Sequence, residues 1–384
     1  MIRFDARTQV VISEDLRNDL LRILTEENIA HAALFVDSNI ISQDIIKNLT
    51  EFLKSKGSIN SYHISSREPT TDMVNEYARL LTKDKKADML IGIGGGSIID
   101  LMKAVSVMAV NEGRVEEYHG TGKRFISGIK KIAVPTTSGT GSEVTAGAVL
   151  VNRKTKFKRA LSGRCIAPDY AVLNPYLTLS MPDNVIAFTG LDALGHAVES
   201  YTAKCANIVT RMYSKQAFSL IYNNLPKVFN DRQNIELRKN MLLGSCLAGY
   251  AIYNSNTGAA HSMAYPLGIY NDVPHGLAVA KLLPKVVKKN VENGCYLYAG
   301  LYELIDGMRP RNDGREEAEL FSKLLNDYEP LKYVNKNFAD YGIDETNYEF
   351  LAERGMDLIS ALNNNPVEFG LQDAKNILKA AITH

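Results

Sequence analysis

The sequence predicts an α/β domain with a mainly parallel sheet followed by an all-helical domain, and three observations carry that prediction. The chain is 384 residues long, which at roughly 150 residues per domain is enough for two bodies. Its first half alternates short β-branched runs with helical patterns, the alternation that βαβ units produce. After Ser180 to Pro182 those runs give way to long stretches of helix formers at helical spacing. The expected boundary lies near Ser180, with the α/β domain over residues 1–180 and the helical domain over 181–384.

In the first half, the run AALFVD ends at Asp37 and reads as a strand. A second strand, ADMLIGIG from Ala87, runs into Gly94, Gly95, Gly96 and Ser97 and then into the helical pattern IIDLMKAVSVMAV. Glycines at that turn let the backbone approach an anion, and the following helix offers unpaired N–H groups at the positive end of its dipole. The other reading is a tight strand-to-helix turn in which Ser97 caps the helix and Asp100, three residues on, completes a capping box. The two readings are compatible. No Gly-Lys-Ser/Thr follows, so phosphoryl transfer loses its main support, and Asp37 precedes the glycines, the reverse of the common dinucleotide fingerprint. A third strand, KKIAV from Lys130, leads into Pro135, Thr136, Thr137, Ser138, Gly139, Thr140, Gly141, Ser142 and Glu143. A loop so dense in donors at a strand's carboxyl end suits a ligand better than a plain surface turn.

In the second half, residues 184–204, 211–225 and 238–253 carry the helical patterns. Asp192 and His196 stand four apart in FTGLDALGHAVESY and so share a helix face. His261 lies in GAAHSMAYP, and His275 in VPHG at the start of the helix-like LAVAKLLPKVV. Taken singly, the Asp/His pair reads as a surface or capping contact and each later histidine as a satisfied core residue. Together they form three imidazoles and a carboxylate, a suitable ligand set for a divalent first-row metal with room for an exogenous oxygen. With Asp192 as the only anionic ligand, such an ion is expected to keep net positive charge toward a substrate oxygen.

Composition narrows the function. Lys plus Arg total 44 against 43 Asp plus Glu, a formal charge of +1 without a charged tail, so nucleic-acid binding is not expected. At 45% hydrophobic and 23% charged the chain is an ordinary globular protein without repeats. Cys165, Cys205, Cys246 and Cys295 form no CxxC pair, which fits a reducing compartment and offers no thiolate metal site. Arg3, Asp5 and Arg7 interrupt any secretory signal, so a cytoplasmic location is expected. Residues 240–271 carry no charged side chain but include Asn254, Asn256, His261 and Pro266, which suits buried protein core rather than a bilayer.

The motifs GGGSIIDLMK, PTTSGTGSEVT, DALGHAVESYTAK and HSMAYPLGIYNDVPHG closely resemble, in order and over nearly the whole chain, the iron-containing (group III) alcohol dehydrogenases. The resemblance implies a dehydroquinate synthase-like fold, with an N-terminal dinucleotide-binding domain, a C-terminal helical metal-binding domain and the active site in the cleft between them. It implies that Asp192, His196, His261 and His275 bind Fe(2+), with Zn(2+) as the competing ion. It places Gly94, Gly95, Gly96, Ser97 and Asp100 at the cofactor's pyrophosphate, and Thr136, Thr137 and Ser142 along its adenine and nicotinamide path. Lys158 falls where many members contact the ribose. Asp37 matches the acid that favours NAD over NADP, since a carboxylate accepts from ribose hydroxyls and repels a 2′-phosphate. The implied reaction is hydride transfer between NAD(H) and a small alcohol or aldehyde. A homodimer without nucleic-acid or membrane partners is expected.

Several positions depart from the family pattern. Tyr265 stands where many relatives have a proton-relaying histidine, and a phenol with an ordinary pKa of about 10 relays poorly at neutral pH. Glu68 replaces a common Asn, and Asn174 replaces the usual Asp before Pro175. Arg211, where relatives often have Asp, adds positive charge with Lys215, which reads as a solvated helix face or as a preference for an anionic substrate. Two other functional classes are weighed against the dehydrogenase. They are a dehydroquinate synthase-like lyase that uses NAD transiently, and a non-catalytic metal- and nucleotide-binding protein.

Overall fold

The computed structural model describes residues 3–65, 68–83, 87–119 and 123–382. The chain divides into two compact units, an α/β unit over Ala6–Thr137 and Gly141–Ser180, and a helical unit from Met181 onward that also includes residues 3–5 and Ser138–Thr140.

The α/β unit is built on a six-stranded sheet of β1 (Gln9–Ile12), β2 (His31–Asp37), β3 (Ser58–Ile64), β4 (Met89–Gly94), β5 (Lys130–Pro135) and β8 (Tyr170–Leu173). Their order is β1-β8-β5-β4-β2-β3, and every pairing is parallel. The expectation of a mainly parallel sheet thus holds, and an antiparallel pair, β6 (Gly147–Asn152) with β7 (Phe157–Ser162), stands apart from it. Every residue of β4 is buried, the continuous apolar run expected of a strand covered on both faces.

Strand periodicity sorts the helices onto those faces. Leu34, Val36, Met89, Ile91, Ile132 and Val134 pack with Leu20 and Ile23 of α1 (Leu16–Glu26) and with Ile46, Leu49 and Leu53 of α2 (Asp44–Lys56). Phe35, Leu90 and Ala133 point the other way, toward Val74 and Leu81 of α3 (Thr71–Lys83) and Leu101, Met102 and Val105 of α4 (Gly96–Met108). The departure at Asn174 is structural, since its side chain accepts from Tyr176 N and donates to the Ser13 carbonyl.

The helical unit contains no strand among its described residues. Helix α5 (Asp183–Thr202) is buried on nearly every side from Ile186 to Thr202, and its apolar and small residues enclose three ionisable side chains, Asp192, His196 and Glu199. It packs with α6 (Ile208–Asn230), α7 (Ile235–Ser255) and α9 (His275–Glu292). The charge-free stretch 240–271 forms most of α7 and all of α8 (Ala259–Asn271), and no described helix is long and apolar enough to cross a membrane. Arg211 donates from Nε to the Tyr201 carbonyl at the end of α5, so it braces two helices.

One glycine sets how closely α9 approaches α5. A Cβ at Gly276 would lie 2.2 Å from the Phe188 carbonyl oxygen, a backbone atom that cannot swing aside. Gly276→Ala is expected to destabilise the helical unit by at least ~2 kcal/mol, the scale of overpacking without a relaxation route. A thermal or urea unfolding midpoint equal to that of the wild type would contradict the close approach.

Candidate metal centre and cofactor-binding edge

In the α/β unit the polar residues collect where the strand order reverses. The chain leaves β2 toward β3 and leaves β4 toward β5, so the crevice of a doubly wound sheet opens at the carboxyl ends of β2 and β4. Asp37 ends one strand and Gly94 the other, and a Cβ on Gly94 would lie 3.3 Å from that of Asp37. One Asp37 oxygen, Oδ1, accepts from the backbone and side-chain nitrogens of Asn39 at 2.9 and 2.8 Å.

Gly95 is the N-cap of α4 and offers no side-chain cap, so Ser97 is not the N-cap that one of the two readings of this turn made it. Ser97 lies within the first turn. Asp100 faces away from the cap: Oδ2 accepts from Val149 N at 2.9 Å, and Oδ1 accepts from the Ser142 hydroxyl and from Lys103 Nζ at 3.1 Å. Lys103 is fully buried, and its ammonium also reaches the Ser142 carbonyl and hydroxyl, both at 2.9 Å, and Thr145 Oγ1 at 3.1 Å. Burial pulls this ammonium's pKa down, against the opposing pull of Asp100 and Glu143.

Asp100 and Ser142 therefore sit in a buried brace that ties α4 to the hydroxyl-rich loop and to β6. Thr136 N donates to the Gly94 carbonyl at 3.0 Å, and a Cβ on Gly95 would stand 3.3 Å from Thr137 Oγ1, so the two loops are adjacent. Lys158, on β7, pairs with Glu68, one of the departures from the family pattern.

In the helical unit three elements converge. Asp192 and His196 are one turn apart on α5, His261 lies in the first turn of α8, and His275 opens α9. Asp192 Oδ1 stands 3.4 Å from His261 Nε2 and 3.7 Å from His275 Nε2. One potential ligand atom from each of these three residues falls within 4.8 Å of the others. His196 lies outside that triangle, its ring stacked on that of His261 with centroids 4.5 Å apart. Tyr265 stands edge-on to His275, centroids 5.8 Å apart.

These residues fit a metal. Asp192 Oδ1, His196 Nδ1 and His261 Nε2 are buried without a hydrogen-bond partner, an expensive state for polar atoms unless a cation takes their lone pairs. Ligand atoms ~2.1 Å from a tetrahedral ion stand ~3.4 Å apart, close to the spacing seen. Burial alone would raise the Asp192 pKa, but His196, His261 and His275 outweigh it and hold the carboxyl ionised. Burial pulls His196 down to about 4 against the attraction of Asp192. For His261, burial is outweighed by Glu199 and Asp192, which raise it to about 9; a cation on Nε2 would displace that proton.

Three residues of these sites escape sequence reasoning. Lys103 and Glu143 sit inside quoted motifs but act from the interior, while Glu199 sits behind His261. The signal for Glu199 was its position seven residues after Asp192, two turns along the same helix face.

The two units are a doubly wound nucleotide-type sheet and a helical body whose buried Asp/His cluster fits a metal. The iron-containing alcohol dehydrogenase family matches residues 7–175, and the C-terminal region of the same family matches residues 186–382. The chain belongs to the iron-containing alcohol dehydrogenase family. It is 32% identical over 358 residues to long-chain-alcohol dehydrogenase 1 of Geobacillus thermodenitrificans, covering 91% of this chain and 89% of that one. It is 30% identical over 348 residues to NAD-dependent methanol dehydrogenase of Bacillus methanolicus, covering 91% and 90%. The fold superimposes on the crystal structure of a 1,3-propanediol oxidoreductase with a TM-score of 0.91 at 28% identity, covering 99% of this chain and all of that one.

Glu143, 2% exposed in the 3-10 turn Ser142–Val144, carries a testable consequence. Burial pushes its carboxyl up to about 7, only partly offset by its own backbone N–H and by Lys103. An acid raised in the folded state stabilises the fold in its protonated form, and that stability is lost as pH rises from its ordinary 4.5 through about 7. Unfolding of Glu143→Gln and wild type is expected to shift in the variant's favour between about pH 5 and about pH 8. A difference that stays constant over that range would refute the raised value.

Proposed function

We propose that this protein is a metal-dependent oxidoreductase that transfers hydride between NAD(H) and a small alcohol or aldehyde. The observation that carries the reading is the convergence of Asp192, His261 and His275 with buried, unsatisfied ligand atoms at Asp192 and His261. When bound, the ion supplies a Lewis acid for the alcohol oxygen, and the nicotinamide takes or returns the hydride. Fe(2+) is the resident ion in this reading; Zn(2+) competes because an N/O site binds it more tightly.

The chain's own residues divide the remaining work. Asp192, His261 and His275 hold the ion, and His196 is the fourth ligand, one turn from Asp192 on the same helix face. Gly94, Gly95, Gly96 and Ser97 bring backbone N–H groups of the α4 N-terminus to the pyrophosphate. Asp100 and Ser142 act from the Lys103 brace and hold those loops in shape. Thr136 and Thr137 line the cofactor path. Lys158 reaches the ribose while paired with Glu68. Tyr265, beside His275, stands at the family's proton-relay position without a relay group's ordinary pKa, so the substrate proton leaves through water.

Asp37 selects NAD. Its position beside Gly94, at the end of β2, suits acceptance from the adenosine ribose hydroxyls. The substrate is a small alcohol or aldehyde, a class within which the named relatives act on molecules as different as methanol and long-chain alcohols. The protein works as a cytoplasmic homodimer. Four cysteines that form no disulfide support a reducing compartment, and β1, paired only with β8 among the described strands, leaves a sheet edge open to a second copy.

The reading is tested by absorbance at ~340 nm, where the reduced nicotinamide absorbs, with NAD and a panel of simple alcohols. NADH is expected to form in proportion to alcohol consumed, to stop on chelation, and to fall by at least about 100-fold in His275→Ala with loss of bound metal. Full activity and metal content in that variant would remove His275 from the centre, and absence of net NADH with every alcohol would remove the dehydrogenase reading.

Asp37→Gly is expected to move the ratio of kcat/KM for NADP to that for NAD upward by about tenfold or more, since a close charge repulsion is worth more than the ~1.4 kcal/mol that tenfold represents. An unchanged ratio would take Asp37 out of the cofactor site.

A further inference from the structure

We propose that Glu199 is the positioning residue of the metal centre: it accepts the Nδ1 proton of His261, fixes that ring's tautomer and aims the Nε2 lone pair at the space shared with Asp192 and His275. This inference rests on the metal-centre reading above and deepens it.

Glu199 is 6% exposed on α5, yet both its oxygens are engaged. Oε2 accepts from Gly258 N at 3.0 Å and contacts His261 Nδ1 at 2.5 Å, while Oε1 accepts from Ala260 N at 2.7 Å. A carboxylate that already takes a backbone N–H on the same oxygen can only accept, so His261 Nδ1 carries the proton. With Nδ1 held protonated by Glu199, Nε2 is the nitrogen that a cation takes once it displaces the second proton. That atom is the buried one without a hydrogen bond, 3.4 Å from Asp192 Oδ1.

The surroundings are built for this contact. Gly258 and Ala260 open α8, so the carboxylate sits at the positive end of the helix that carries His261. A Cβ on Gly258 would stand 2.9 Å from Glu199 Oε1, and a larger residue there would push the carboxylate away. One side chain thereby fixes both the start of α8 and the rotation of its first-turn imidazole. A carboxylate behind a ligating histidine also raises the basicity of the ligand nitrogen.

Glu199 changes the charge expected at the site as well. Among the described residues Asp192 remains the only carboxylate facing the shared space, but Glu199 is a second buried negative charge one imidazole away. Two carboxylates balance a divalent ion, so the loaded centre is close to neutral instead of net positive.

The experiment reads His261 directly, using zinc as a diamagnetic probe added to metal-free full-length protein with 15N-labelled histidine. One equivalent of zinc is expected to shift His261 Nε2 as a ligand nitrogen while Nδ1 keeps a slowly exchanging proton. In Glu199→Gln, zinc affinity measured by chelator competition is expected to weaken by about 10- to 100-fold, with the Nδ1 proton exchanging faster. If the wild type binds no zinc, the metal-centre reading falls and this proposal with it. If the wild type binds zinc but His261 ligates through Nδ1 or stays unshifted, or if Glu199→Gln binds unchanged, the positioning role alone is overturned. Should Glu199→Gln fail to fold, the wild-type spectrum decides by itself.

Discussion

The ion pair between Glu199 and His261, buried where α5 meets the start of α8, is the contact around which the helical unit is arranged. An ionised carboxylate taken out of water costs several kcal/mol unless charged and hydrogen-bonded partners compensate it. This core holds two such groups on one helix. Asp192 faces the imidazoles of His196, His261 and His275, whereas Glu199 is met by His261 and two backbone N–H groups. Each compensation requires another helix to begin at a set place, so α8 starts one residue after Gly258 and α9 starts at His275 itself. Gly276 lets α9 close onto the Phe188 carbonyl, and that approach brings His275 to Asp192.

The α/β unit follows the same logic with the opposite charge. Lys103 is a buried cation whose ammonium is surrounded by Asp100, Ser142 and Thr145. Because those partners come from α4 and from the hydroxyl-rich loop, satisfying the cation holds the two segments in register. The glycines at the end of β4 are then free to keep their backbone open, since the helix behind them is anchored from its interior and carries no side-chain cap. Removing one partner from such a buried network leaves an uncompensated charge, which is why interior residues can control a loop they do not face.

Much of this was legible in the chain. The parallel sheet and the helical second half follow from periodicity, because burial on both faces of a strand or all round a helix demands apolar residues at every turn of the pattern. The carboxylate and imidazole positions were legible because the helical spacing of Asp192 and His196 and the isolated settings of His261 and His275 stand out against an apolar background. Of the two compatible readings of the turn after β4, the one that made Ser97 and Asp100 a capping box does not describe the helix start, for a definite cause. Local spacing permits the box, but the buried ammonium of Lys103 and the backbone of β6 compete for the same carboxylate, and burial makes those contacts worth more.

By itself the sequence determined the order and type of the elements, the identity of the chemical groups and the strands and helices that carry them, since these depend on neighbours within a few residues. Only the tertiary structure decided which groups meet. That Asp37 lies beside Gly94, that Lys158 pairs with Glu68 and that Glu199 stands behind His261 depend on chain segments many residues apart being packed together. A single sequence carries no local signal for such pairings. The energy that selects them is the cost of leaving a buried charge alone, and that cost arises only once the core has closed around it.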